Sequence, residues 1–450
     1  MHLFPQLRKL EKKYSRELTV IGVHSAKFTA EKETENLRLA VLRYEIEHPV
    51  VNDRDFQVWQ QYSIRAWPTL MFIDPAGNIV GKHEGEISAD VFDRVIEDLV
   101  SVYDGQGLME RRDLDFKLER EKEWERPLSF PGKLLVDVPG NRLIVADSNH
   151  NRIVVTTLTG DVVQVVGSGE RGFADGPLDA ARFFDPQGLA IFGDRLYVAD
   201  TKNHAIRLVD LQSREVTTLA GTGEQATSFH DGGEGRLVAL NSPWDLALGM
   251  NGDRDTLYIA MAGFHQLWRL DLKDGTARPH AGSGRERIVD GPLASAQLAQ
   301  PSGLVTDGQK LFFTDSETSA IRSADLVGGG EVKTIVGTDL FTFGDVDGTG
   351  DEVRLQHPVG LDVSEGVLYV ADTYNNKIKR VDPVTRSAAG LIGSGQPGHR
   401  DGSPDSAMFH EPGGISVADG KLYVADTNNH AVRVASLDTL EVETLKIRGI

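Results

Sequence analysis

From Phe130 onward the chain is an internal repeat, and this repeat constrains the fold more than any other feature. A strand-like motif of the form Leu-Tyr-Val-Ala-Asp occurs six times, and its copies end at Asp147, Asp200, Met261, Asp315, Asp372 and Asp426. The proline-led segments that precede the last five copies are spaced 54 to 58 residues apart. A regular period of this kind is typical of architectures in which each repeat is one supersecondary unit.

Each repeat contains three further strand-like segments around this motif. A start resembling Pro-x-Gly-Leu precedes it, a turn rich in Asn and His leads to a strand such as residues 205–209, and a fourth strand resembles residues 216–221. Four short strands per unit, repeated six times, are the pattern of a propeller with four-stranded blades. We therefore expect an all-β, six-bladed β-propeller over residues 130–450.

The order of strands predicts which loops share a face. With antiparallel strands a, b, c and d in each blade, the b–c turns and the connections from d to the next a fall on the same side. We expect this face to bind a protein or a small polar ligand through His150, Asn203, His204, Asn375, Asn428 and His430. Asp and Asn are also the residues that tight turns select, so a purely structural role is the alternative.

The first hundred residues follow a different pattern, in which helical and strand periodicities alternate. Helices are predicted at residues 3–14, 35–46, 53–62 and 88–100, strands at 18–23 and around residue 50, and a hairpin at 66–80. Residues 101–129 are densely charged with mixed signs, which favours a solvated linker. The predicted organisation is thus an α/β domain over residues 1–100, a linker over 101–129 and the propeller over 130–450.

Four segments of the α/β domain, residues 20–28, 42–46, 48–53 and 66–69, closely resemble the thioredoxin-like domain of NHL-repeat proteins. The propeller motifs resemble NHL repeats. This resemblance implies a thioredoxin-like domain fused to an NHL-type propeller. It also implies that Pro68 is cis and that Trp67 and Pro68 form a surface for an extended peptide. A trans proline that opens a strand is the alternative.

The sequence contains no cysteine, which excludes disulfide and thiolate chemistry within it. The thioredoxin order also lacks its first strand here. In the resembling family, the Met-His-Leu-x-Pro stretch follows a Cys-x-x-Cys motif. We therefore expect a start that has lost an upstream Cys-x-x-Cys segment, with a degenerate structural module as the alternative. Upstream thiols would make the protein a thiol-disulfide oxidoreductase. Without them, we expect a non-catalytic scaffold in which the thioredoxin-like module assists partner contact.

The net charge and the motifs of the sequence exclude several further classes of function. The net charge of −19 has the wrong sign for binding nucleic acid, and no apolar run is long enough to span a membrane. No signal peptide is visible, so a cytoplasmic location is expected. A monomer is also expected. Residues 345–351 resemble a calcium loop, but Gln356 stands where a bidentate Glu is needed. No cofactor, metal or catalytic residue is predicted, and a metal-dependent lyase-like propeller is the last alternative.

Overall fold

The structure is a computed structural model, and it describes residues 3–85, 89–123, 125–249 and 254–450. The chain forms two compact units, Met1–Glu125 and Arg126–Ile450. Their boundary falls inside the segment that was predicted to be a linker. Ser88, the residue expected to cap the last helix of the first unit, lies outside the described residues. None of the described helices is long and apolar enough to cross a membrane.

The first unit has its helices and strands in the predicted order. Its helices are α1 (Leu3–Lys13), α2 (Thr34–Arg43), α3 (Gln57–Gln61) and α4 (Ala89–Gly105). Its strands are β1 (Gly22–His24), β2 (Val50–Asn52), β3 (Thr69–Ile73) and β4 (Ile79–Glu84). Strand β1 pairs with β2 in parallel and β3 pairs with β4 in an antiparallel hairpin. Within the described residues these pairs are separate two-stranded sheets.

Helices α1 and α4 supply the core of the first unit. Leu7 and Leu10 lie on one face of α1 and Tyr14 directly follows the helix, and all three pack with Phe92 and Ile96 of α4. All five side chains are buried. Burial of a large apolar side chain stabilises a fold by roughly 1.5 to 3 kcal/mol. The apolar period seen in the sequence of α1 is therefore the main source of this core.

The second unit consists of six blades of antiparallel strands. The innermost strands a are Leu134–Asp137, Pro186–Phe192, Pro243–Leu248, Pro301–Thr306, Gly360–Ser364 and Pro412–Ala418. Strands b are Arg142–Asp147, Arg195–Asp200, Thr256–Met261, Lys310–Asp315, Val367–Asp372 and Lys421–Asp426. Strands c are Arg152–Thr156, Ala205–Asp210, Gln266–Asp271, Ala320–Asp325, Lys377–Asp382 and Ala431–Ser436. The outer strands d are Val162–Val166, Glu215–Ala220, Thr276–Ala281, Glu331–Val336, Ser387–Ile392 and Val442–Leu445.

Short additional strands show how the ring of blades closes. In blades 2 to 5, two residues of the preceding connection pair with strand d, namely Gly176–Pro177, Gly233–Glu234, Gly291–Pro292 and Gly348–Thr349. In blade 6, Gly402 forms a single bridge with Val442. In blade 1, Arg448 from the end of the chain takes this place by bridging Asp161, and its Nε lies 2.7 Å from the Asp161 carboxylate. The segment after the last strand therefore joins blade 6 to blade 1.

Apolar side chains fill the interfaces between neighbouring blades. The largest cluster joins blades 2 and 3, and it includes Ile206 and Trp268. Phe183, Phe313 and Phe409 are fully buried in equivalent clusters around the ring. Close packing of this kind leaves little freedom for the strands. The propeller is thus a firm support for the loops at its two ends.

Candidate functional site

The six b–c turns have the same geometry. Each is a single 3₁₀ turn followed by a left-handed residue, and these residues are Asn151, His204, His265, Ser319, Asn376 and His430, with φ between 48° and 54°. Each of their side chains accepts a hydrogen bond from a backbone N–H at the start of the next blade, from Asp185, Ser242, Gln300, His357, Glu411 and Phe130 respectively. The b–c turns therefore lie beside the d–a connections, as predicted. We call these turns and connections the loop face.

Two of the predicted site residues, His204 and His430, belong to this set. His204 Nδ1 accepts from the Ser242 N–H at 2.9 Å, and His430 Nδ1 accepts from the Phe130 N–H at 3.1 Å. The His430 ring also packs against Phe130, with 4.3 Å between ring centroids. The contact between His430 and Phe130 joins the last blade to the first. These side chains thus hold neighbouring blades together, and ligand binding by them stays a prediction.

Below the turns, the last residue of strand b is a fully buried aspartate in five blades, at Asp147, Asp200, Asp315, Asp372 and Asp426. A basic side chain on strand c lies next to each one. In blades 2, 4 and 6 the partner is an arginine seven residues later, at 2.7 to 2.8 Å: Arg207, Arg322 and Arg433. In blade 1 the partner is Arg152, also at 2.8 Å. A buried charge needs such a partner because it has lost its hydration.

The same arginines also bind the Asp-Gly loops that connect the blades. The pairs are Arg207 with Asp175, Arg322 with Asp290 and Arg433 with Asp401, at 2.7 to 3.0 Å. Each guanidinium therefore bridges a buried carboxylate and a loop carboxylate, which suits its planar fork of donors. These three aspartates lie on the d–a connections and therefore belong to the loop face. The arginines offset their charge, while 35 to 49% of each aspartate side chain stays exposed.

Blade 5 uses a lysine, and this explains the segment that resembles a calcium loop. Lys379 Nζ lies 2.6 Å from Asp345, 2.8 Å from Asp347 and 4.0 Å from the buried Asp372. The first and third oxygens of the apparent loop therefore hold an ammonium group. Burial raises the pKa of Asp372 to about 7, because the distant lysine offsets only part of the lost hydration. Among the described residues, no three His, Asp or Glu side chains are grouped closely enough to hold a metal ion.

Three further predicted residues bind the buried aspartates from within the turns. The pairs are Asn203 with Asp200 at 2.9 Å, Asn375 with Asp372 at 2.7 Å and His150 with Asp147 at 2.8 Å. Asn428 is buried in the turn of blade 6. The structure thus places the predicted residues in equivalent turns around the ring, and His150 is among those that stay partly exposed.

Blade 3 replaces the buried ion pair with apolar side chains. Met261 stands where the other blades have aspartate, and Trp268 stands where blades 2, 4 and 6 have arginine. Both are fully buried, and the Trp268 indole N–H donates to Gln266 Oε1 at 2.9 Å. Both positions of the pair change in the same repeat. This joint change was the signal in the sequence that could have revealed the Asp–Arg pairs.

In the thioredoxin-like unit, the Trp67–Pro68 peptide bond is cis, as predicted. The Trp67 indole N–H donates to the Ser25 carbonyl at 2.8 Å, yet 49% of the residue is exposed. Its ring centroid lies 4.4 Å from that of Trp59 and 6.4 Å from that of Phe56. We call Phe56, Trp59 and Trp67 the aromatic cluster.

A buried carboxylate that the sequence analysis missed supports the aromatic cluster. Asp53 accepts hydrogen bonds from the Ser25 hydroxyl at 2.8 Å and from the Val58 and Trp59 N–H groups, both at 2.9 Å. Burial alone would raise the pKa of Asp53, but the donated bonds outweigh it and hold the pKa below its usual value. Asp53 therefore ties the Ser25 segment, which holds Trp67, to the start of α3, which carries Trp59.

Family models match both units of the chain. A thioredoxin-like family model matches residues 1–79, and the NHL repeat model matches residues 183–207 and 409–435. The Arabidopsis thaliana protein SUPPRESSOR OF QUENCHING 1, chloroplastic, is 43% identical over 100% of this chain and 44% of its own length. NHL repeat-containing protein 2 of Bos taurus is 41% identical over 99% of this chain and 66% of its own length. The chain thus spans less than two thirds of the length of these relatives.

Solved structures match this chain at low identity and with TM-scores below 0.5. A streptogramin B lyase matches with a TM-score of 0.45 and 12% identity, over 73% of this chain and 86% of that one. A chain of a nidogen/laminin complex matches with a TM-score of 0.44 and 17% identity, over 66% of this chain and 91% of that one. Neither likeness bears on function. From its two units and its relatives, the chain belongs to the NHL repeat-containing proteins in which a thioredoxin-like domain precedes a six-bladed β-propeller.

Proposed function

We propose that this chain is a non-catalytic interaction protein and that the loop face of its propeller binds a protein partner, with a small polar ligand as the alternative. Three exposed phenylalanines on the d–a connections support this proposal. Phe173 is 41% exposed, Phe229 is 59% exposed and Phe341 is 69% exposed. Aromatic side chains provide much of the binding energy at protein interfaces. Their concentration on one face favours a partner there.

Two of these phenylalanines rest on fixed supports. The Phe173 ring lies over the buried Arg207 guanidinium, 5.1 Å from its centre. The Phe229 ring lies 5.3 Å from the ring of Phe264 in the b–c turn of blade 3. Rings that are already positioned lose little conformational entropy when a partner binds. The support beneath each ring therefore favours a contact surface over a chance exposure.

The thioredoxin-like unit is part of the same proposal. Its aromatic cluster exposes Trp67 beside Pro68, and Asp53 holds the two segments that carry Trp67 and Trp59. The exposed tryptophan ring offers a large apolar face, which suits contact with an extended peptide. We propose that this cluster assists partner contact. A Trp67→Ala variant is expected to weaken binding of the partner without abolishing it.

A face-selective variant tests the proposal. Phe173, Phe229 and Phe341 are changed together to serine, and the matched control changes Val327 and Val384 to serine. Both valines are more exposed than the phenylalanines but lie on c–d turns at the opposite end of the blades. We expect proteins captured by the wild-type chain to be retained by the control and lost by the triple variant, as measured by quantitative mass spectrometry and then by titration of the purified partner. Equal capture by both variants would overturn the proposal.

The remaining partner and location assignments are also proposals. The net charge of −19 supports a protein that does not bind nucleic acid. We propose a cytoplasmic monomer, although one relative is by its name chloroplastic. Light scattering of the purified chain and imaging of a tagged copy in cells test the two assignments.

A further inference from the structure

The six innermost strands enclose a cavity of about 550 Å³ within the propeller. This volume is within the range of small-molecule sites. Each blade contributes an apolar side chain to the wall, namely Leu134, Leu189, Leu246, Leu304, Leu361 and Ile415. The lining extends to Val138 and Pro139 beyond the end of strand a in blade 1, so the cavity lies toward the a–b turns and away from the loop face. We call this space the axial cavity.

Two charged side chains, Lys133 and Asp245, neutralise each other in the axial cavity. They occupy a strand-a position that is glycine in the other four repeats, at Gly188, Gly303, Gly360 and Gly414. Neighbouring strands approach closely here, since a Cβ atom on Gly188 would lie 2.4 Å from Asp245 Cα. Lys133 Nζ lies 3.1 Å from Asp245 Oδ2 and donates to the Val359 carbonyl at 2.7 Å. The pair therefore bridges blades 1, 3 and 5 and adds no net charge.

A third charged group, Asp362, has no such compensation. Its carboxylate accepts hydrogen bonds from the N–H groups of Val363 and Val417 at 2.8 and 2.7 Å, and its partners within the described residues are neutral. Asp362 is partly exposed, and it belongs to the lining of the axial cavity. Burial raises the pKa of Asp362 to about 6, and the nearby charge of Asp245 adds to this rise. Near neutral pH, Asp362 is therefore an ionised carboxylate in the cavity lining, and the described residues supply no counter-ion to it.

The other charged groups along the cavity do not supply that counter-ion. Asp137 is paired with Arg142 at 2.6 Å. Arg254 lies at the outer end of the lining, where its guanidinium stacks over Phe192 at 5.0 Å. Lys133 is held by Asp245 and the Val359 carbonyl. Among the described residues, the inner part of the axial cavity thus combines apolar and polar lining residues with one carboxylate that has no counter-ion.

We propose that the axial cavity binds a small organic cation, whose ammonium group pairs with Asp362 and whose aliphatic body packs against the ring of Leu and Ile side chains. A cation supplies the missing counter-charge to a carboxylate that has lost part of its hydration. An anion would be repelled by Asp362. A hard divalent metal ion needs several oxygen ligands, and the oxygens of Asp245 are already engaged by Lys133 and by the Leu246 and Leu304 N–H groups.

Three probes of one shape and different charge test this site on the full chain. They are cyclohexylmethylammonium, cyclohexylmethanol and cyclohexanecarboxylate, titrated calorimetrically at about pH 7.5. We expect the ammonium compound to bind at least about tenfold more tightly than the alcohol, which corresponds to 1.4 kcal/mol, and the carboxylate not to bind. We expect ammonium binding to weaken at about pH 5, where Asp362 is protonated. Equal binding of ammonium and alcohol, or no ammonium binding at about 10 mM, would overturn the proposal.

Two variants locate the binding. Asp362→Asn is expected to lower the ammonium affinity at least about tenfold, whereas Asp231→Asn, an exposed carboxylate on the loop face, is the matched control and keeps it. Ala247→Leu adds side-chain volume to the cavity wall without changing any charge, and it is expected to abolish binding. Circular dichroism confirms that each variant is folded. Full affinity in a folded Ala247→Leu chain would rule out the axial cavity, even if Asp362→Asn failed to fold.

Discussion

Blades 2 and 3 fill the same space with opposite chemistry. In blade 2, Arg207 joins the buried Asp200 to Asp175 of the preceding connection. In blade 3, Met261 and Trp268 fill the corresponding positions, and His230 of the preceding connection packs on Trp268 with 5.3 Å between ring centroids. The strands pair in the same way in both blades. The blade fold therefore does not require the ion pair. The charges mainly hold the preceding d–a connection against the blade.

Removal of one partner of the ion pair is expected to have the largest effect. An Arg207→Met variant leaves Asp200 buried without its cation and is expected to lose about 3 to 5 kcal/mol of unfolding free energy. Chemical denaturation measures this loss. Arg195→Met, at an exposed position of the same blade, is the control and should change stability by less than about 0.5 kcal/mol. Similar losses in both variants would contradict the role of the buried pair.

Removal of both charges is expected to restore part of this stability. In Asp200→Asn/Arg207→Met, the amide oxygen can still accept the Phe184 N–H, which lies 2.8 Å from the carboxylate. The double variant should be about 2 kcal/mol more stable than Arg207→Met, because no charge is left buried. A denaturation series on the single and double variants gives this coupling. A double variant as unstable as Arg207→Met would show that blade 2, unlike blade 3, cannot be stable with uncharged side chains at these two positions.

Asp362, unlike Asp200, has no cationic partner among the described residues. Its pKa is raised to about 6 in the folded chain, so its contribution to stability is present at low pH and is lost as pH rises through 6. Relative to Asp362→Asn, the wild-type chain is expected to lose about 2 kcal/mol of unfolding free energy between about pH 4.5 and pH 7.5. Denaturation of both proteins across this range is the measurement. A constant difference would show that the pKa of Asp362 is not raised.

The contact between blades 6 and 1 is expected to contribute less to stability than the buried charges do. His430→Ala removes the acceptor of the Phe130 N–H and is expected to cost about 1 to 2 kcal/mol. His430→Asn should cost less than about 0.5 kcal/mol, because Asn151 and Asn376 make the same contact in blades 1 and 5. Thermal unfolding distinguishes the two variants. A loss in His430→Asn as large as in His430→Ala would mean that the ring packing on Phe130 outweighs the hydrogen bond.

The smallest effect is expected in blade 5, where lysine takes the place of arginine. Lys379 reaches Asp345 and Asp347 but lies 4.0 Å from Asp372. Lys379→Arg should bring a donor to Asp372, as Arg433 does at 2.7 Å in blade 6, and raise stability by up to about 1 kcal/mol. The gain would appear as a higher midpoint of thermal unfolding. A loss of stability would show that the loop of blade 5 is shaped for the smaller ammonium group.

Features repeated along the chain could be predicted from the sequence, whereas contacts between distant strands could not. The strand ending at Asp200 and its counterparts were predicted because the same letters recur in each repeat. The role of those aspartates was missed, since an Asp before a turn suggests a local hydrogen bond and gives no hint of a partner on strand c. The aromatic cluster was predicted only through Trp67, because Asp53 acts across the fold.

The axial cavity was beyond sequence reasoning for a similar reason. Lys133, Asp245 and Asp362 are more than a hundred residues apart from one another, and they converge only because six inner strands meet at one axis. The hint in the sequence was the loss of glycine at Lys133 and Asp245 in an otherwise regular start. Positions at which a residue departs from the repeat are therefore as informative about the cavity as the repeated residues are about the fold.

The contacts that close the ring also indicate whether new chain ends could be introduced elsewhere in the propeller. His430 binds Phe130 with the geometry used between the other blades. Arg448 bridges Asp161 in blade 1, in the place where residues of the preceding connection pair with strand d in blades 2 to 5. The joint between the first and last blades is thus chemically similar to its neighbours. A circularly permuted propeller, with Arg448 linked to Phe130 and new ends placed in an exposed connection, should fold to the same ring.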